Sequence, residues 1–180
     1  MWVAGASGLT QMLFRVDAET GEVAPIPLPG EVHNGFIGLA VGEGSVWMVT
    51  SGGNVFRFDP PTKSVVASLA TGGIPGDLIV DESNGSVWVT SVGSGGTVGS
   101  LIRIDAATNR VVQTLGVGCC PGQLAIGQGS IWVTDSSSKK VVQVSSSTND
   151  VANTYSFDVP PSAVAVGRGF LWVTLDKLSS

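Results

Sequence analysis

The chain has five tryptophans, and each sits in the same kind of short apolar frame: Met1-Trp2-Val3-Ala4, Val46-Trp47-Met48-Val49, Val87-Trp88-Val89-Thr90, Ile131-Trp132-Val133-Thr134 and Leu171-Trp172-Val173-Thr174. Successive tryptophans lie 45, 41, 44 and 40 residues apart. Self-similarity at this period marks a propeller blade, in which one supersecondary unit of four strands is repeated and stacked. A helical solenoid would need a 3.6-residue apolar period, which is nowhere in the chain, and an immunoglobulin-like sandwich does not repeat at this length. The repeat is not of the WD type, because no Trp precedes an Asp and a single histidine cannot supply a recurring Gly-His pair.

A second motif recurs between the tryptophans: Phe14-Arg15-Val16-Asp17, Phe56-Arg57-Phe58-Asp59, Ile102-Arg103-Ile104-Asp105 and Val142-Gln143-Val144-Ser145, each with a Thr three residues on, at 20, 62, 108 and 148. Asp or Ser opening such a stretch can accept hydrogen bonds from the following backbone and close a tight turn. The motif therefore reads as the third strand of a blade and its hairpin. The fourth strand follows as a β-branched run such as Val65-Val66-Ala67-Ser68-Leu69 or Val111-Val112-Gln113-Thr114-Leu115. A small-residue first strand (Leu39-Ala40-Val41, Leu78-Ile79-Val80, Leu124-Ala125-Ile126 or Val164-Ala165-Val166) and a Gly-containing turn lead into each Trp strand. The Trp strand is apolar on both faces, as a sheet packed between neighbours requires. The recurring Arg15, Arg57 and Arg103 are expected to be structural, with stems over apolar neighbours and heads reaching carboxylates at the following turn.

The run from Arg103 to Gly118, followed by Pro121-Gly122-Gln123-Leu124-Ala125-Ile126 and Ile131-Trp132-Val133-Thr134, resembles the YVTN class of β-propeller repeats, with Trp where that class often has Tyr. It is also similar to NHL-type and streptogramin-lyase-like propellers. The resemblance covers nearly the whole chain. It implies an all-β propeller of four-stranded antiparallel blades, a tendency towards extracytoplasmic proteins, and no single shared activity. From the streptogramin-lyase-like branch it implies a Mg²⁺-assisted lyase or hydrolase using several histidines and a carboxylate, of which this chain offers one histidine, His33.

Assigning strands along the chain predicts partial blades over 1–30 and 162–175 and full blades over 35–70, 74–115 and 120–157, with seventeen strands in all. A closed four-bladed ring uses sixteen, so a second strand is duplicated. Three arrangements satisfy this: a segment of a six- to eight-bladed propeller, a four-bladed ring with a surplus strand, or copies that associate through open blade edges.

Composition narrows the function classes. Charged residues are 13% of 180, and 9 Lys plus Arg against 14 Asp plus Glu leave a net charge of −5. That removes the basic footprint of a nucleic-acid binder. A hydrophobic share of 43% excludes a disordered chain. No apolar run approaches a membrane span, and the first residues lack the basic and apolar regions of a signal peptide. One His and two Cys leave no multi-histidine or Cys-rich metal site. No cofactor is expected, apart from magnesium under the lyase reading.

In a repeat protein, residues present in every blade serve the blade and residues present once are candidates for function. His33 and Asn34 fall in the loop before a first strand, on the face where the loops following the Trp strands also lie. His33 is the best candidate for a general base, since its free pKa lies near neutrality. Asp77 and Gln123 open first strands where other blades have Gly38 and Ala163, and Asp135 follows the fourth Trp strand. These five residues form the expected binding set, for a protein or a small polar ligand at the loop face. Residues 91–99 form the longest and most Gly-rich loop on that face, a place where contacts can be built. Cys119 and Cys120 are adjacent. A bond between neighbours holds the Cα atoms ~3.8 Å apart, below the usual ~4.4 Å or more, so the free thiols are the expected state and a disulfide there would be strained and easily reduced.

Overall fold

The computed structural model describes residues 1–7, 10–93 and 98–176. The centre of the long third-blade loop, at 94–97, lies outside the described residues. Among the described residues there are seventeen strands, in five antiparallel sheets, and no helix. The first sheet holds β1 (Trp2–Ser7), β2 (Thr10–Val16) and β3 (Val23–Pro27). The second holds β4 (Phe36–Gly42), β5 (Ser45–Thr50), β6 (Asn54–Asp59) and β7 (Ser64–Ala70). The third holds β8 (Gly73–Asp81), β9 (Ser86–Gly93), β10 (Gly99–Asp105) and β11 (Arg110–Gly118). The fourth holds β12 (Pro121–Gly127), β13 (Ser130–Asp135), β14 (Lys140–Ser145) and β15 (Val151–Ser156), and the last β16 (Pro161–Gly167) and β17 (Phe170–Leu175). Each sheet runs in sequence order, as a meander must, and the chain is an all-β propeller segment.

The turns follow from their residues. Asp17 Oδ1 accepts the N–H groups of Glu19 and Thr20, Asp105 Oδ1 those of the Thr108 backbone and hydroxyl, and Ser145 Oγ that of Thr148. The chain then reverses through a left-handed residue, Gly21, Lys63, Asn109 or Asn149. Between first and second strands, Glu43-Gly44, Gln128-Gly129 and Arg168-Gly169 each place two successive residues at φ between 52° and 81°. That is the two-residue hairpin turn whose twist matches the flanking strands.

Packing is shared between sheets. Trp47 is buried with Leu78, Val87, Val89, Ile102 and Ile104 of the following sheet, and Trp88 with Leu124, Ile131, Val133, Val142 and Val144. Trp2 lies edge-on to Phe58, with ring centroids 6.0 Å apart, and Trp132 packs with Val164, Val166, Leu171 and Val173. Each of the first four tryptophans is thus covered by the next blade. Trp47 and Trp88 are 0% exposed, whereas Trp172, in the last described sheet, is 62% exposed.

Cross-strand register explains the recurring arginine. Trp47 pairs with Arg57 and Trp88 with Arg103, while Trp132 faces Gln143. The Arg57 guanidinium sits 5.0 Å from the Trp47 ring centroid and that of Arg103 5.9 Å from Trp88, a cation–π arrangement. For Arg57 and Arg103 the heads take hydrogen-bond acceptors other than the expected turn carboxylates. Arg57 donates to Ser45 Oγ, to the Ala106 carbonyl and to Asn109 Oδ1 of the next blade, and Arg103 donates to Ser86 Oγ. Directly opposite Trp47 and Trp88 the guanidinium lies over the ring, while the turn carboxylates Asp59 and Asp105 accept from the Thr62 and Thr108 hydroxyls and backbone N–H groups.

Candidate functional site

The loops before the first strands and those after the Trp strands share one face. Ser51 N–H donates to the Gly35 carbonyl, and Asp135 at the end of β13 accepts from the backbone of Cys119 and Cys120. On this face His33 and Asn34 belong to the connection from β3 to β4. Leu28 and Val32 are plugged into the core shared by the first two sheets, at 6% and 2% exposure, so the chain between them must turn at Pro29-Gly30. Val32 N–H closes that turn on the Pro29 carbonyl. His33 is pushed outwards, and its Nδ1–H donates to the Glu31 carbonyl at 2.8 Å, which in the neutral imidazole makes Nε2 the acceptor. Asn34 is left-handed at φ 71°, and its side chain lies over Gly52, where a Cβ would overlap the amide. Together with Thr10, Gln11, Leu28, Pro29, Gly30 and Val32, the pair lines a cavity of about 290 Å³.

Asp77 occupies a different place. It opens the inner part of β8, half-buried, with Oδ1 accepting from its neighbour Leu78 and Oδ2 from Leu124 of β12, both through backbone N–H groups. Gly38 of the preceding blade lies beside it and leaves room for its neighbour: a Cβ there would meet Leu78 Cδ2 at 3.0 Å and Val49 Cγ2 at 3.2 Å. Burial pushes the Asp77 carboxyl above the ordinary carboxylate range, partly offset by the two N–H donors. Asp77 is thus a clasp between blades. Gln123 is exposed, with its backbone N–H held by Thr134 Oγ1 at 2.9 Å.

Asp135 is 1% exposed. Its Oδ2 accepts from Cys119 N–H, and its Oδ1 from Cys120 N–H and from Ser138 N–H at 3.1 Å. It tethers the link between the third and fourth blades. Gln123 and Asp135 are brought onto adjacent strands, β12 and β13, and Asp77 reaches the residue after Gln123, whereas His33 and Asn34 stand apart on the first two blades.

A role not foreseen from the sequence belongs to the threonine two residues after Trp88 and Trp132. Thr90 Oγ1 accepts from Asp77 N–H at 2.8 Å and donates to the Gly122 carbonyl of the next blade, and Thr134 Oγ1 holds Gln123 in the same way. Its signal was the repetition itself, at 90, 134 and 174.

The magnesium set implied by the lyase resemblance does not fit these residues. The oxygens of Asp77 and Asp135 are occupied by backbone N–H groups, and His33 shares no hydrogen bond with either. Among the described residues, no three His, Cys, Asp or Glu side chains converge as a metal site would require.

No family model and no curated protein matches the chain, so membership of the YVTN or NHL repeat classes is not detected. Among solved structures it is similar to apo AztD from Citrobacter koseri, at 16% identity and a TM-score of 0.68 over 90% of this chain and 48% of that one. It is similar to hydrazine synthase from Kuenenia stuttgartiensis, at 16% identity and a TM-score of 0.71 over 88% and 46%. The computationally designed Ika4 protein matches at 12% identity and a TM-score of 0.69, over 82% of this chain and 89% of that design. The chain spans about half the length of the two natural structures. At these identities the likeness shows the fold alone, a β-propeller-like one.

Proposed function

We propose that the chain is a non-catalytic β-propeller scaffold that binds a small, neutral, polar ligand at its loop face, in the cavity beside His33 and Asn34. The observation that carries this reading is the lining of that cavity. Thr10, Gln11, His33 and Asn34 offer a hydroxyl, two amides and an imidazole, and among the described residues no charged side chain lines it. At about 290 Å³ it lies at the small end of ligand pockets. The carboxylates that general acid–base chemistry would need are tied to the backbone elsewhere.

The test is a titration of the protein with monosaccharides, nucleosides and small amides, followed by backbone and imidazole NMR resonances. At least one class is expected to shift Gln11, His33 and Asn34 together, and His33→Ala with Asn34→Ala to abolish the effect at unchanged melting temperature. Shifts centred elsewhere, or none with any class, overturn the proposal. Magnesium is expected to leave the melting temperature unchanged; a saturable stabilisation would favour the Mg²⁺-assisted lyase reading instead.

A further inference from the structure

The joint between the third and fourth blades consists of only two residues, Cys119 and Cys120, between the end of β11 and the start of β12. Both thiols are free; Cys119 is exposed and Cys120 half-buried, and their sulfurs are 3.2 Å apart. This is an arranged pair. The buried Asp135 carboxylate takes the N–H of both cysteines, at 3.1 and 3.4 Å, and so fixes the backbone on which the thiols stand. Gly118, at φ 129°, packs directly on that carboxylate, where any Cβ would overlap it. On the other side the buried Pro121 ring fills the space that a side chain at Gly99 would need. Asp135 stands where the other blades carry Gly5, Thr50, Ser91 and Leu175, so the carboxylate and the thiol pair occur in the same blade and only there.

A structural metal is not the natural occupant. A tetrahedral zinc needs four ligands, and bonds of ~2.3 Å to two thiolates would spread the sulfurs to roughly 3.8 Å. Two sulfurs already in contact are instead close to forming a bond with each other.

We propose that Cys119 and Cys120 form a reversible redox site, closing to a vicinal disulfide by exchange with a low-molecular-weight disulfide. The exposed Cys119 thiolate attacks one sulfur of the oxidant, and the oxidant's S–S bond breaks to release one thiolate. The Cys120 thiolate then attacks Cys119 Sγ, the Cys119–Cys120 bond forms, and the second oxidant thiolate leaves. Two cysteine thiols are oxidised by two electrons, the oxidant is reduced to two thiols, and the two cysteine protons pass to its thiolates. The Cα atoms of neighbours lie closer than in ordinary disulfides, so the ring is strained, and strained, exposed disulfides are the readily reduced ones. The hydrogen bond to Cys120 and the charge it carries when ionised, with Asp135 adding, push the Cys119 thiol upwards, so closure accelerates as pH rises towards its titration.

The full chain is equilibrated in mixtures of reduced and oxidised glutathione, quenched with acid, alkylated and weighed by mass spectrometry. The expected product is a chain lighter by two hydrogens that takes up no alkylating agent and returns to the dithiol when reduced glutathione is added. Cys120→Ser is expected to yield a glutathione adduct on Cys119 instead. A parallel series on the chain unfolded in urea provides the reference: closure in the folded protein is expected at an oxidant ratio at least tenfold lower. Stable glutathione adducts on the native pair, disulfides between chains, or equal closure in folded and unfolded chains would overturn the proposal.

Discussion

At the level of single residues, several side chains are explained only by what lies across a blade boundary. Gly118 is the clearest case, since its φ of 129° suits no other residue and its Cα abuts the Asp135 carboxylate. Gly118→Ala is therefore expected to cost about 2 kcal/mol or more, read by urea denaturation. Asp77 makes a prediction with the opposite sign from the turn aspartates. Its carboxyl is raised in the folded protein, mainly by burial, so its contribution is fully present below the unfolded pKa and is lost as pH rises through the folded one. Asp77→Asn, followed by thermal unfolding from acid to neutral pH, is expected to remove that loss. Asp105 is lowered, chiefly by the Thr108 hydroxyl and backbone N–H, so what it contributes is present above the unfolded pKa and falls away as pH drops through the folded one. Asp105→Asn is expected to flatten the acid limb of the same curve.

Among the elements, the Trp strands carry the strongest comparison. The same frame is repeated along the chain, yet Trp88 is fully buried and Trp172 is 62% exposed. Trp88→Ala is expected to cost roughly 3–5 kcal/mol and Trp172→Ala no more than ~0.5 kcal/mol, measured side by side by denaturant unfolding. Strand order and turn positions were legible in the sequence because each is encoded locally, by an Asp or Ser with a Thr three residues on, or by a Gly after a left-handed residue. The role of Asp77 was not legible. Its partner, Leu124 N–H, is 47 residues away, and only the spacing of adjacent blades brings the two together. The same holds for Asp135, whose position after a Trp strand suggested an open functional carboxylate until the N–H groups of Cys119, Cys120 and Ser138 closed over it. His33 was identifiable by being the only histidine, but the cavity beside it depends on Leu28 and Val32 anchoring the loop, which composition does not reveal.

Across the whole molecule, the exposed end faces match each other. Trp172 and Phe170 lie open at one end, at 62% and 65%, and Met1 and Val3 at the other, at 71% and 44%. Met1, Val3, Phe14 and Val16 occupy the positions at which Val87, Val89, Ile102 and Ile104 cover Trp47 inside the chain. The open faces of the first and last described sheets therefore carry the residue types that meet at the internal blade boundaries. Exposed apolar patches of this kind drive association. The mass measured by light scattering is expected to rise with protein concentration, and Trp172→Lys combined with Val3→Lys to hold it at the single-chain value. A mass independent of concentration in the unaltered chain would count against completion by a second copy.

Because each of the first four tryptophans packs into the blade that follows it, no blade possesses a core of its own. Unfolding is then a matter of nearest-neighbour couplings along a line, and the ends, with a neighbour on one side only, should fray before the middle. Amide protons of β5, β9 and β13 should exchange slowest and those of β1 and β17 fastest, a gradient running inward from both termini. A chain pulled by its ends would come apart blade by blade.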